Sequence, residues 1–200
     1  MTNLTLNNSD IGNPTKTGTT AINNDVIEIT AGGADIWGAS DQFHFAYRAV
    51  EGDFQVSVQL EAFSKADLYS KAGIMVRETL EAGSKHAFMV AFPDNNLRNH
   101  NNCGIEFQYR QETDGECLAI YPENDTTVPP FYPVDFPQVW MKLTRTGDRF
   151  DASFSPDGNN WKPYCSYELK LSSALLVGLG VTSHNPGEIV TAKFNKLVIE

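Results

Sequence analysis

Positive charge is scarce in this chain of 200 residues: 15 Lys and Arg stand against 25 Asp and Glu, a formal net charge of −10 with histidine neutral. A surface of that sign repels a phosphate backbone, and no Lys/Arg cluster interleaved with aromatics offers a local exception, so nucleic acid is not an expected partner. Long apolar runs are missing too. The longest, around Leu175 to Val181, is interrupted by Gly178 and Gly180, far short of the roughly 20 apolar residues that a membrane helix needs. No membrane partner is expected. The opening Met1-Thr2-Asn3-Leu4-Thr5 carries neither the basic nor the apolar region of a signal peptide, so the chain as written reads as cytoplasmic, or as secreted if a leader has been removed. Cysteine is limited to Cys103, Cys117 and Cys165, which cannot all pair within one chain. Free buried thiols are expected, with a Cys103–Cys117 bridge as the alternative.

Catalytic signatures are also absent. No nucleophile elbow, phosphate-binding glycine loop or Cys–His dyad is present, and Gly32-Gly33 opens no helical pattern that could cradle a phosphate. A retaining glycosidase on a sandwich fold needs paired carboxylates about 5 Å apart on one strand face. The nearest candidate, Glu112-Thr113-Asp114-Gly115-Glu116, has the Asp-Gly of a hairpin turn, whose acids face water. His44, His86, His100 and His184 show no paired spacing for a metal, and a zinc site from His100, Cys103 and Cys117 lacks the close ligand pairs that structural zinc favours. If a metal binds, calcium is the one to expect. The stretches Asp94 to Asn96 and Glu123-Asn124-Asp125 offer it hard oxygen ligands.

What the chain does have is strict alternation. Phe54, Val56, Val58, Leu60 and Ala62 alternate with polar residues, as do Ile105, Phe107 and Tyr109, then Val139, Met141 and Leu143, then Phe150, Ala152 and Phe154. This is the period of a half-buried strand. Further strands are expected at about 24–30, 43–50, 73–80, 85–92, 116–121, 160–168, 175–182 and 189–199, making a dozen in all. Thr146-Gly147-Asp148 and Ser155-Pro156-Asp157-Gly158-Asn159-Asn160 are turn sequences, so residues 138–168 read as a three-stranded meander. The apolar phase slips near Asn195 or Lys196, which predicts a bulge there. Ser64 to Lys71 reads as one helical turn or a loop. Hydrophobic residues at 41% and charged ones at 20% fit an ordinary globular protein, and residues 1–200 are read as a single all-β sandwich domain.

The segments Ala34-Asp35-Ile36-Trp37-Gly38, Asp41-Gln42-Phe43-His44-Phe45, Lys71-Ala72-Gly73-Ile74-Met75-Val76-Arg77-Glu78, His86-Ala87-Phe88-Met89 and Val181-Thr182-Ser183-His184-Asn185 carry a resemblance. Over about Asp10 to Glu200 the chain resembles the concanavalin A-like, or laminin G-like, domains classed with the regulation-of-enolase proteins. Similar domains are appended to secreted bacterial carbohydrate-active proteins. The resemblance implies a two-sheet antiparallel jelly roll with one concave face, where relatives hold sugars on that face or along its rim. It implies no catalytic residues.

The candidate ligand-binding residues are therefore Trp37, His44, Arg77, Glu78, His86, Gln108 and Arg110. Trp37, in a glycine-bracketed turn, could stack on a sugar ring or pack at a sheet edge, with Asp35 accepting backbone N–H groups beside it. Arg77 and Glu78 are adjacent and must point to opposite faces. Arg77 either presents a planar donor fork on the concave face, with His86 and the row Glu106, Gln108, Arg110 nearby, or forms a cross-strand pair such as Arg77 with Glu106 or Glu78 with Arg110. His44 is a candidate whose alternative is a satisfied, half-buried imidazole. The leading expectation is a non-catalytic recognition module for carbohydrate. A cytoplasmic protein-interaction or regulatory domain comes second, and a glycan hydrolase or lyase third.

Overall fold

Residues 5–96, 98, 104–121 and 135–200 are described by the computed structural model of the chain. Fourteen strands among these residues form two seven-stranded sheets in which every pairing is antiparallel. Across the front sheet the order is β1 (Asn7–Ile11), β4 (Phe43–Glu51), β13 (Ala174–Thr182), β6 (Lys71–Arg77), β7 (His86–Ala91), β8 (Ile105–Arg110) and β9 (Cys117–Ile120). Across the back sheet it is β12 (Lys162–Glu168), β11 (Arg149–Ser155), β10 (Val139–Thr146), β5 (Phe54–Phe63), β14 (Val190–Ile199), β3 (Val26–Ala31) and β2 (Thr19–Asn23). This is an all-β jelly-roll sandwich of the concanavalin A-like kind.

The back sheet follows directly from the alternation. Phe54, Val56, Val58 and Leu60 of β5 are buried while Gln55, Ser57 and Gln59 are not. Val139, Met141 and Leu143 of β10 lie opposite Leu60, Val58 and Val56, so the apolar sets share one face. The meander of β10, β11 and β12 forms as the turn chemistry requires, with Gly147 at φ +61° and Gly158 at φ +76°. The expected bulge is present as a register shift between Asn195 and Val198, where Lys196 adopts φ +54°.

The front sheet differs because both of its faces are covered. Ala72, Ile74, Val76, Ala87, Met89, Phe107, Val177 and Leu179 face the back sheet in the main core. On the other face Ile11, Phe43, Phe45, Met75, Phe88, Val90 and Phe92 form a second apolar cluster, capped by Ile36 from the segment joining β3 to β4. β6, β7 and β8 are consequently buried at every position; β6 and β7 read as continuous runs, whereas β8 keeps its alternation because its outer face carries Glu106, Gln108 and Arg110. The 64–70 segment is a loop. β1 and β2, which carry few apolar residues, were not among the expected strands.

Gly73 lies on the outer face of β6, in the middle of this packing. A Cβ there would sit 2.0 Å from the Met89 carbonyl oxygen and 3.0 Å from the Val90 Cα. Both belong to the hydrogen-bonded neighbouring strand, which cannot step aside. Gly73→Ala is expected to cost about 1–3 kcal/mol by overpacking, read as a lower urea midpoint at unchanged slope.

Candidate functional site

The outer face of the front sheet carries two polar groupings side by side, one closed and one open. In the closed one, the register of β6, β7 and β8 places Arg77 opposite His86 and His86 opposite Arg110. The three form one row and are sealed from solvent, each 0% exposed. Their shared partner is Asp41, also 0% exposed. Arg110 grips it with two bonds, Nη2 to Oδ1 at 2.7 Å and Nη1 to Oδ2 at 2.8 Å, and Arg77 Nη1 reaches Oδ2 at 3.3 Å. The remaining guanidinium donors go to main-chain oxygens. Arg77 donates to the carbonyls of Thr79 and Glu81, and Arg110 to those of Gly38, Ser84 and Gly115.

Burial pulls the Arg77 pKa down to about 10, with Asp41 opposing and Arg110 adding to the shift. His86 lies 3.7 Å from Asp41, 3.3 Å from Arg110 Nη1 and 3.6 Å from the free thiol of Cys117. Burial drives its pKa down to about 3; Asp41 works against that, while the two arginines reinforce it. The folded protein thus holds a neutral imidazole where the unfolded chain binds a proton below about pH 6.5. Stability from this group is full above that pH and falls as the pH drops, by about 1.4 kcal/mol per unit, until the folded imidazole itself titrates near pH 3. We expect the wild type to lose about 2 kcal/mol more than His86→Gln between pH 6.5 and pH 5, measured by urea denaturation at each pH. Equal losses in the two proteins would refute this.

The open grouping is a pocket of about 250 Å³ next to the closed cluster. Asp35 and Trp37 come from the segment before β4, Tyr69 from the loop before β6, and Lys71 from the start of β6. Glu106 and Gln108 are contributed by β8, while Phe92, Tyr121 and His184 follow β7, β9 and β13. Asp35 is a hub. Its Oδ1 accepts Lys71 Nζ at 2.6 Å and the Ile36 N–H at 2.7 Å, and its Oδ2 lies 3.1 Å from His184 Nε2. Burial pushes the Asp35 pKa up, but Lys71 and His184 outweigh it and the net shift is downward. The bond to Asp35 raises the His184 pKa against the opposing effect of burial. His184 sits at φ +56°, with its other ring nitrogen 3.1 Å from Asp67 and its ring 5.5 Å from that of Tyr69.

Trp37 stands at this pocket 37% exposed, with the Lys71 ammonium 5.4 Å from its ring centre. Gln108 is 2% exposed; its Nε2 donates to Glu106 at 2.9 Å, and its Oε1 has no hydrogen-bond partner among the described residues. Of the seven candidate residues, the structure brings Trp37 and Gln108 together in the pocket and gathers Arg77, His86 and Arg110 into the closed cluster beside it. The other two lie elsewhere. His44 is 2% exposed, bonded to Asp10 at 2.7 Å and Thr20 at 3.0 Å, where it ties the edges of the two sheets together. Glu78 follows the end of β6, near Lys85 at 3.8 Å and accepting the Ser172 N–H at 2.7 Å. The ion pairs are thus Arg77–Asp41 and Glu78–Lys85, in place of the cross-strand pairs with Glu106 and Arg110.

Of the metal candidates, Asp94 is engaged by Lys65 at 2.5 Å and Arg98 at 2.8 Å. His100, Cys103 and Glu123 to Asp125 lie outside the described residues. Cys117 and Cys165 are free thiols, and burial raises the pKa of each to about 12.

Residues 13–200 match a family described as a protein of unknown function, DUF1349. No curated protein matches the chain. Among solved structures, a functionally unknown protein from Saccharomyces cerevisiae is similar at TM-score 0.69 and 14% identity, covering 96% of this chain and 95% of that one. The carbohydrate-binding module CBM66 from Bacillus subtilis is similar at TM-score 0.58 and 15% identity, over 96% and 94% of the two chains. The GH43 BlXynB protein from Bacillus licheniformis gives 0.60 at 12% identity, over 87% of this chain but 32% of its own. These likenesses concern the fold.

Proposed function

Because the chain belongs to the DUF1349 family, whose function is unassigned, its role has to come from its own pocket, and we propose that it is a non-catalytic module recognising carbohydrate there. The observation that carries the proposal is the pairing of an exposed aromatic plate with a buried acceptor that no described residue satisfies: Trp37 at the pocket and Gln108 Oε1 within it. A sugar ring offers the complement, a C–H face for the indole and hydroxyl groups for the amide oxygen. Tyr69, Phe92 and Tyr121 add apolar wall, and Lys71 adds a donor.

Binding rather than turnover is favoured by how the acids are held. Asp35 is committed to Lys71, His184 and its own turn, and its lowered pKa keeps it ionised, which suits a fixed hydrogen-bond acceptor and not a general acid. The likeness to the Bacillus subtilis carbohydrate-binding module supports the reading at the level of fold.

A glycan array followed by calorimetry on the full chain tests the proposal. Binding in the millimolar to micromolar range without release of cleaved product is the expected result. A flat array, with and without calcium, or cleavage of a bound glycan, would overturn it.

A further inference from the structure

We infer that the pocket takes one uncharged sugar ring end-on and reads a hydroxyl of that ring with Gln108. The inference rests on the carbohydrate reading above and narrows it to a ligand class.

Three observations converge. The Gln108 amide has a fixed orientation, because a carboxylate only accepts hydrogen bonds and the Glu106 carboxylate therefore holds the Nε2 end at 2.9 Å. Its Oε1 is left as a buried acceptor without a partner among the described residues, and leaving such a group unpaired costs about 1–3 kcal/mol. The group that relieves this must be a donor. A sugar hydroxyl qualifies; a uronate carboxylate does not, and it would also stand against Glu106 and Asp35.

The second observation is that charge on the opposite wall is already matched. Asp35 Oδ1 holds Lys71 at 2.6 Å and Asp35 Oδ2 faces His184 at 3.1 Å, so a charged ligand gains no unspent counter-charge from that side. An ammonium group would meet Lys71 and a histidine whose pKa is raised by Asp35. A neutral ring disturbs none of these pairs.

The third is size. At about 250 Å³ the pocket falls just below the range of roughly 300–1,000 Å³ usual for drug-sized ligands. That volume suits one ring and not a laid-out chain, so the end of a glycan enters and the rest points to solvent.

The experiment titrates the full chain with methyl glycosides of neutral hexoses and pentoses, with the matching uronates and 2-amino sugars, and with neutral oligomers of two to six rings. At least one neutral glycoside is expected to bind. Its uronate and amino counterparts should be at least tenfold weaker, and its oligomers no more than about threefold tighter. Gln108→Leu, which fills the same space without an acceptor, is expected to lose at least tenfold in affinity while its melting temperature holds. If that variant fails to fold, the wild-type panel decides. A charged sugar that binds best, or affinity rising tenfold with each added ring, overturns this inference while leaving carbohydrate recognition intact; no binding by any sugar overturns both.

Discussion

Asp41→Ala is expected to cost the fold about 3–5 kcal/mol, the usual penalty for breaking a fully buried ion pair by removing one partner. Asp41 is the sole carboxylate bonded to Arg77 and Arg110 among the described residues, and all three are completely buried. Without it two guanidinium groups share a site with no counter-charge, and neither can reach water without breaking its bonds to the surrounding carbonyls. Total stability for a domain is typically about 5–15 kcal/mol, so the variant should unfold at a much lower urea concentration or fail to accumulate as folded protein. Asp41→Asn separates charge from shape: it preserves the volume and two hydrogen-bonding atoms, yet replaces one acceptor by a donor that faces an arginine. It should be destabilised as well, though less than the alanine variant. A loss under about 1 kcal/mol in Asp41→Ala would mean that the arginines find other acceptors, and the cluster would not be the anchor described.

Trp37→Ala is expected to weaken glycan affinity about thirtyfold, corresponding to the roughly 2 kcal/mol that marks a dominant contact residue, with little change in melting temperature. The side chain is 37% exposed, so truncation removes contact surface without opening a core cavity. The ring is preorganised from both sides: Ile36 before it is fully buried, and Gly38 after it adopts φ +57° with its carbonyl held by Arg110 at 2.8 Å. A plate already fixed in place loses little freedom on binding, which is why its removal should register so strongly. Trp37→Phe should recover part of the affinity. A change under twofold for Trp37→Ala would place the contact elsewhere, whatever its effect on stability.

How legible each region was depended on whether its partners lay near in sequence. β5, β10 and β11 announce themselves because one face is wet and the other dry. β6 and β7 show only apolar runs, since Ile36, Phe43, Phe45 and their neighbours cover the second face, and nothing local says which side chains point where. β1, with the sequence Asn-Asn-Ser-Asp-Ile, is an edge strand whose burial is slight, so no hydrophobic period marks it. In the site, Trp37 and Gln108 were readable as an aromatic in a turn and an amide in a polar row. The charge pairs were not. Asp41 meets Arg110 across 69 positions, and Asp35 meets His184 across 149. The signal that could have pointed to Asp35, Asp41, Lys71 and His184 is their presence in the very segments that carry the family resemblance. Tyr69, Phe92 and Tyr121, each just outside a strand, gave none.

The arginines beside the pocket fasten the loops around them by their peptide oxygens. Arg77 and Arg110 take the carbonyls of residues 38, 79, 81, 84 and 115, and every amino acid has a carbonyl to offer. The path of those loops, the turn after Trp37 included, is therefore specified without specifying the residues that travel along them. Such loops can be rewritten residue by residue, by natural drift or in a designed library, while the sheet that holds them keeps its shape.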